Sequence, residues 1–280
     1  KGLRRSVSAH ASIAAAHSRQ NDDGSWGEHP EPTRRILPTL RLVQTLAEQG
    51  ATGEPWRLAA RFLASTAHTE EGVFSLDGRR DGVLSCYVGV AATAYLLGGL
   101  DELAESQLEW IRTHQDVRRG DRRLRADPPE AWGTYLQHRY GGCMADTTCL
   151  VGLVKAGRAL QLHRDVHDDR RGDPLTASIR EAFLERHLMA AADGTVVPIG
   201  APPSSPEDWL APTFPLDWHT DLIEIIDFVA RSGPADRRMQ PALDALAGFQ
   251  LPDGTWPLRR TFWPDGYPIR TRRSARRGDP

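Results

Sequence analysis

The chain has few of the features that would assign it to several large functional classes. It contains only three cysteines, Cys86, Cys143 and Cys149, which is too few for a disulfide framework and typical of a reducing compartment such as the cytoplasm. No run of about 18 apolar residues is present, so no membrane-spanning helix is predicted. The first sixteen residues lack the apolar segment of a signal peptide.

The charge balance excludes a further class. Lys and Arg together number 35 and Asp and Glu number 37, so the chain lacks the excess of positive charge that is usual in a nucleic-acid-binding protein. Only two of the 280 residues are lysine, Lys1 and Lys155. These features predict one globular domain over residues 1–280 that binds a small molecule, with no spanning segment and no identified protein partner.

A degenerate internal repeat is the clearest pattern in the sequence. Each copy places a glycine two residues before an aromatic or apolar residue. The two full copies are Gln20-x-x-x-Gly24-x-Trp26 and Gln250-x-x-x-Gly254-x-Trp256, and the two weaker ones are 68–74 and 190–196. A repeat of this kind indicates stacked supersecondary units that bury one continuous core.

Helical periodicity surrounds each copy of the repeat. Amphipathic segments precede the glycines, at 6–18, 56–67, 101–113, 175–189 and 235–249, and more apolar segments follow, at 36–48, 83–97, 145–162 and 217–231. A helix that is apolar on nearly all sides is buried on nearly all sides. The sequence therefore predicts an all-α chain of paired outer and inner helices.

These residues carry a family resemblance. The Q-x-x-x-G-x-W pattern followed by a buried helix resembles the QW-type repeat of the terpenoid cyclase and protein prenyltransferase superfamily. The resemblance implies an α/α toroid of about five inner and five outer helices around a central cavity. It implies a structural role for Gln20, Trp26, Gln250 and Trp256, and an active site where the inner helices begin.

Chemically active side chains collect at the predicted starts of the inner helices. The candidate catalytic residues are Asp217, His219, Asp221 and Asp146. The candidate substrate-binding residues are Trp218, Tyr140, Tyr87, Arg34 and Trp132, because aromatic rings stabilise cations and guanidinium groups bind anions.

A zinc site is one hypothesis for these residues. Asp217-Trp218-His219 resembles the Asp-x-Cys zinc motif of prenyltransferases, with His219 in place of the cysteine. Cys86, Cys143 and Cys149 would supply thiolates, and thiolate, imidazole and carboxylate are ligands that zinc accepts. The alternative is that the cysteines are small core residues.

Acid chemistry without a metal is the other hypothesis. Asp217, Asp221 and Glu224 are spaced to share one face of a helix that is otherwise apolar. Buried carboxyl groups suit a general acid, although the D-x-D-D motif of terpene cyclases is missing. The alternative is that Asp221, Glu224 and Asp227 pair with Lys155 or Arg158 on the neighbouring inner helix. The Arg-rich segment 258–280 would either cover the cavity mouth or extend into solvent.

The sequence therefore favours an enzyme that resembles terpenoid cyclases or prenyltransferases and acts by carboxylate and histidine chemistry on a hydrophobic, isoprenoid-derived molecule. Two alternatives remain open at this point. One is a zinc-dependent hydrolase or transferase, and the other is a non-catalytic toroid that binds a lipid, a peptide or a partner chain.

Overall fold

The computed structural model describes residues 11–115, 117, 149–190 and 210–259. Within these ranges the chain forms nine α-helices: α1 (Ala11–His17), α2 (Ile36–Glu48), α3 (Glu54–Thr66), α4 (Ser85–Gly98), α5 (Asp101–His114), α6 (Leu150–His167), α7 (Asp173–Leu184), α8 (Leu222–Arg231) and α9 (Gln240–Ala247). Three short 3-10 helices are also present, Pro32–Arg35, Arg80–Gly82 and Arg237–Met239.

The all-α prediction is confirmed for the described residues. These residues form no β-strand, and an isolated antiparallel bridge joins His68 to Phe74. None of the helices described has the length and apolarity required to cross a bilayer. Residues 191–196 of the weak repeat copy at 190–196, residues 260–280 of the Arg-rich segment 258–280, and Trp132, Tyr140, Cys143 and Asp146 lie outside the described ranges.

The helices form two series, as the apolar periodicity predicts. Helices α2, α4, α6 and α8 each pack against the next member of this series, and α3, α5, α7 and α9 each pack against the member that precedes or follows them in the chain. Helix α4 is the most apolar of the nine and buries twelve of its fourteen residues. We refer to α2, α4, α6 and α8 as the buried series and to the others as the flanking series.

Glycines allow the buried series to pack closely. A Cβ atom on Gly89 of α4 would lie 2.6 Å from the backbone of Lys155 on α6. A Cβ atom on Gly157 of α6 would lie 2.5 Å from the ring of Phe228 on α8. Since real Cβ atoms do not approach neighbours so closely, both glycines are required by packing, and together they join three consecutive members of the series.

Three copies of the repeat form the same turn. We call them the first turn (residues 20–26), the second turn (68–74) and the last turn (250–256). In each, the glycine amide donates to the carbonyl three residues before it, at 2.8, 2.9 and 2.9 Å. The glycine φ angles are +89°, +79° and +82°, a left-handed conformation that L-residues rarely adopt.

The side chains of the full copies repeat as well. Gln20 Nε2 and Gln250 Nε2 each donate to the carbonyl of their own turn glycine at 2.8 Å. Trp26 Nε1 donates to the Ala16 carbonyl (2.7 Å), and Trp256 Nε1 donates to the Leu246 carbonyl (2.9 Å), ten residues back in both cases. The structural role predicted for these four residues matches these contacts.

Several predicted helix limits differ from the structure. The first buried helix agrees to the residue, but the last begins at Leu222 and not at Asp217, because the Asp221 side chain caps it. The flanking helix predicted over 175–189 ends at Leu184, where His187 and Leu188 adopt positive φ angles. The flanking helix predicted over 235–249 is shortened to Gln240–Ala247, after a 3-10 turn.

Candidate functional site

A network of buried charges connects three members of the buried series. It is formed by Arg41 on α2, Lys155 and Arg158 on α6, and the acidic side chains at the start of α8. Each of its ion pairs joins residues that are far apart in the chain. Charges are costly to bury unless they are paired, and perturbed buried charges are typical of functional sites. This network is therefore the candidate functional site among the described residues.

Asp217 lies in the segment before α8, and its carboxyl group is 2% exposed. Arg41 Nε donates to Asp217 Oδ2 at 2.6 Å, while Asp217 Oδ1 is buried without a hydrogen-bond partner. Burial raises the pKa of Asp217, and the guanidinium of Arg41 opposes this rise only in part. Asp217 is therefore a half-satisfied carboxyl group that holds a proton more readily than an exposed aspartate does.

The helix prediction placed Asp217 and Asp221 on one helical face, and that part is wrong. Asp217 has a φ angle of +53° and precedes the helix, whereas Asp221 is its N-cap residue. Asp221 Oδ1 accepts from the Glu224 amide (2.9 Å) and Asp221 Oδ2 accepts from the Thr213 amide (2.8 Å). Burial raises the pKa of Asp221 to about 6 against these two bonds. With both oxygens engaged, Asp221 serves to hold the segment in place.

Glu224 is the centre of the pairing that the sequence suggested as an alternative to function. Lys155 Nζ donates to Glu224 Oε1 at 2.8 Å, and Arg158 Nη1 donates to the same oxygen. Burial alone would raise the pKa of Glu224, but the two cations hold it below its usual value. The predicted pairing with Lys155 and Arg158 is thus confirmed for Glu224, with both partners present. Asp221, for which the same pairing was predicted, instead accepts from two backbone amides.

Trp218 and His219 continue the segment that begins at Asp217. Their rings stack with centroids 3.8 Å apart and planes inclined by 29°. Trp218 also packs against the core, so the stack is anchored at one side. This arrangement places an aromatic face and an imidazole directly after the buried Asp217 carboxyl group.

The other predicted residues are placed less favourably. Arg34 lies in the 3-10 turn before α2, is largely exposed and pairs only with Glu31 at 3.8 Å. Tyr87 is buried in the first turn of α4, and its ring is 6.2 Å from that of Phe74. Neither position adds to the charged network.

The described cysteines lie where α4 and α6 begin. Cys86 is buried in α4, and Cys149 caps α6, with its Sγ accepting from the Gly152 amide at 3.4 Å. Among the residues that the structure describes, no group of three His, Cys, Asp or Glu side chains is arranged to hold a metal ion. Cys143 falls outside them, so the zinc site suggested by the sequence stays a prediction.

A concave region lies apart from the buried network. This groove has a volume of about 650 Å³ and runs along the outer side of α5. Its acidic residues are largely paired, since Glu71 binds Arg80 and Glu105 binds both Arg112 and Arg171. The groove therefore offers little unsatisfied charge for a ligand.

Arg41 and Gln44 are the site residues that the sequence interpretation missed. Both lie on α2, three residues apart, and Gln44 is 5% exposed. The signal is visible in hindsight, because polar residues at helical spacing interrupt the apolar segment Ile36–Glu48. A polar residue on a buried helix face indicates a site only when its partner is known. The partner of Arg41 lies 176 positions away in the chain, so the sequence did not reveal the pair.

Comparisons with known proteins do not assign the chain to a family. No protein-family model and no curated protein matches it. A crystal structure of a protein from Actinoplanes is similar over 91% of this chain and 83% of its own, at 15% identity and a TM-score of 0.36. A likeness this weak carries no argument about fold or function, which have to be argued from the site.

Proposed function

We propose that the buried series closes into the ring of an α/α toroid and that the interior of this ring is an active site. The packing order of α2, α4, α6 and α8 supports this arrangement, as does the Arg41–Asp217 ion pair, which connects the first member with the segment before the last. The reaction we propose is acid-catalysed and acts on a hydrophobic, isoprenoid-derived small molecule, in keeping with the resemblance of the repeat to terpenoid cyclases and prenyltransferases.

The observation that carries the proposal is the state of the Asp217 carboxyl group. One oxygen is fixed by Arg41 and the other is buried without an intramolecular acceptor. Burial raises the pKa of Asp217, and a carboxyl group that holds its proton more tightly than usual is suited to give it to a bound molecule as a general acid. After transfer, the Arg41 guanidinium stabilises the resulting carboxylate, so the group is suited to both halves of a proton transfer.

The neighbouring residues support this role. The Trp218 ring offers a π face to positive charge that develops on an apolar substrate, and the His219 ring stacks on it. Asp221 and Glu224 contribute by holding the segment, through the cap on α8 and the ion pairs to α6.

The test is solvent-proton incorporation. The purified protein is incubated in D₂O with isoprenoid alcohols, their diphosphates and squalene, and the products are examined by mass spectrometry for deuterium on carbon. Asp217→Asn keeps the shape of the side chain but removes the acid, and should lower the rate of incorporation by about 10²-fold or more. Asp227→Asn, which alters an exposed carboxylate on α8, is the matched control and should retain the rate.

Two outcomes contradict the proposal. Equal rates for Asp217→Asn and the wild type exclude Asp217 as the acid. Ligand binding without any conversion, unchanged in Asp217→Asn, favours instead a non-catalytic toroid that binds a lipid, a peptide or a partner chain.

A further inference from the structure

The last turn of the repeat lies in an exposed apolar region. All of residues 250–256 are exposed, whereas residues 24–26 of the first turn are buried. Six large apolar side chains are exposed in the described part of the chain, and three of them, Leu243, Leu251 and Trp256, lie within fourteen residues of one another. We call these three side chains and the last turn the open face. Apolar side chains that are exposed together mark a surface that binds another molecule.

The equivalent positions at the start of the chain are buried. The two full copies of the repeat are 230 residues apart, so Trp256 corresponds to Trp26, and Leu243 on α9 corresponds to Ile13 on α1. Ile13 and Trp26 are 2% and 3% exposed, whereas Leu243 and Trp256 are 39% and 43% exposed. The last unit therefore has the apolar residues of the first, at a face that the other described residues leave open.

Helix α3 is what covers the first turn. Gln20 Nε2 donates to the carbonyl of Pro55 at 2.7 Å, in addition to the carbonyl of Gly24. A Cβ atom on Gly24 would lie 2.6 Å from Leu58. Pro55 and Leu58 belong to the first two turns of α3, so the first turn binds the N-terminal end of the next flanking helix.

The second turn is covered in the same way by α5. A Cβ atom on Gly72 would lie 2.9 Å from Ser106 Oγ, and Gln107 Nε2 donates to the Gly72 carbonyl at 2.7 Å. Ser106 and Gln107 lie in the second turn of α5, the flanking helix that follows. Two copies of the turn in this molecule thus bind the same kind of element, the beginning of an amphipathic α-helix.

No described helix takes this place at the last turn. Gln250 Nε2 has one acceptor among the described residues, the Gly254 carbonyl, and the atom nearest to a Cβ on Gly254 is that same Nε2 atom at 4.0 Å. The sequence that follows does not predict such a helix, because Pro264 and Pro268 interrupt it and residues 269–277 contain only one large apolar side chain.

We propose that the open face is a docking surface for the first two turns of an amphipathic α-helix of a partner chain. Trp256 and Leu243 contact the apolar side of this helix, and the second N–H of the Gln250 amide donates to a carbonyl of its first turn. Helix α3 shows the chemistry required, with a proline in the first turn and Leu58 against the turn glycine.

The test uses α3 itself as the probe. A fluorescein-labelled synthetic peptide of residues 51–67 is titrated with the full chain, and binding is followed by fluorescence anisotropy. The first turn is occupied by the chain's own α3, so the peptide probes the open face. The wild type should bind the peptide saturably. Trp256→Ala should weaken binding by about tenfold or more, and Gln250→Ala by roughly threefold to tenfold.

Matched controls exist on both sides of the interaction. Val166→Ala alters an exposed apolar side chain on α6 and should leave the affinity unchanged. In the peptide, Leu58→Asp should weaken binding by about tenfold or more, whereas Arg57→Ala, at a position exposed in α3, should not. If thermal unfolding shows that Trp256→Ala does not fold, the two peptide variants with the wild-type chain decide the question.

Three outcomes overturn the proposal. The first is a wild-type chain that does not bind the peptide. The second is equal binding by the wild type and Trp256→Ala, or by the two peptide variants, which would place the peptide elsewhere on the molecule. The third is a wild-type dimer in sedimentation velocity that Trp256→Ala dissociates, because the open face would then be covered by a second copy of this chain.

Discussion

The first and last turns of the repeat have the same hydrogen bonds but very different burial. Trp26 and Trp256 donate to equivalent carbonyls, and Gln20 and Gln250 donate to equivalent glycines. Trp26 is 3% exposed, whereas Trp256 is 43% exposed. The turn geometry is therefore a property of the local sequence, and burial depends on what packs over the turn.

The second turn shows how much of the motif can be replaced. Its glutamine position is His68, and the carbonyl of Gly72 accepts instead from Gln107 Nε2 on α5 at 2.7 Å. Gln107 Nε2 also donates to the Leu103 carbonyl, just as Gln20 Nε2 donates to the Pro55 carbonyl. In both cases a glutamine side-chain amide donates to the glycine carbonyl and to a carbonyl near the start of the next flanking helix. The glutamine belongs to the repeat in the first turn and to that flanking helix in the second.

The largest expected difference between the turns concerns the tryptophans. Trp26→Ala should lower the free energy of unfolding by about 3–5 kcal/mol, because it removes a buried indole from the core. Trp256→Ala should lower it by only about 1 kcal/mol, mainly through the lost hydrogen bond to Leu246. Urea unfolding of both variants measures the difference, and equal losses would mean that the last turn is covered as fully as the first in solution.

The regular part of this fold was predictable from periodicity, and the site was only partly so. Helix Ile36–Glu48 was predicted to the residue because its apolar spacing is uninterrupted at the ends. The start of α8 was misplaced because Asp217 and Asp221 both suit a helix N-terminus, and only the bond from the Glu224 amide to Asp221 distinguishes them. Local patterns do not encode such choices.

The ion pairs, too, were predictable from the sequence only in part. The partners of Glu224 were among the expected alternatives because α6 and α8 are consecutive in the buried series, which limits the candidates to Lys155 and Arg158. Arg41 was not expected to bind Asp217, since that contact connects opposite ends of the series. The role of Gln107 in the second turn was not predicted for a similar reason. Gln107 supplies there the amide that Gln20 supplies in the first turn, and a donor from a later helix does not alter the spacing of the motif.

A smaller difference is expected at the turn glycines. Gly24→Ala should destabilise by more than about 2 kcal/mol, because it combines a positive φ angle with a Cβ atom 2.6 Å from the Leu58 carbonyl oxygen. Gly254→Ala should cost about 1 kcal/mol, since the conformation is the same but the nearest atom, Gln250 Nε2, is 4.0 Å away.

Gly72→Ala should destabilise the protein by an amount between the losses expected for Gly24→Ala and Gly254→Ala. Its Cβ atom would meet the Ser106 Oγ atom at 2.9 Å, and a side-chain atom can move aside more easily than backbone can. Thermal unfolding should therefore rank the variants Gly24, Gly72, Gly254 in order of decreasing loss. A loss for Gly254→Ala as large as that for Gly24→Ala would show that φ strain alone determines the cost.

The smallest expected effect is a pH dependence of stability that arises in the second turn and not in the other two. Burial lowers the pKa of His68 to about 4, and His68 Nε2 lies 2.9 Å from the Tyr95 hydroxyl. Because the unfolded chain then binds a proton more readily than the folded one, stability should be unaffected above about pH 7 and should fall between about pH 6.5 and pH 4. We expect His68 to contribute on the order of 1–2 kcal/mol of this loss, after allowance for its partial exposure.

His68→Gln, which restores the residue of the first turn, should reduce the slope of stability against pH in this range, whereas His29→Gln at an exposed site should not. The burial-lowered pKa values of His17 and His163 leave some slope in every variant, so the difference between the two variants in urea unfolding is the quantity that decides, and identical slopes would contradict the assignment to His68.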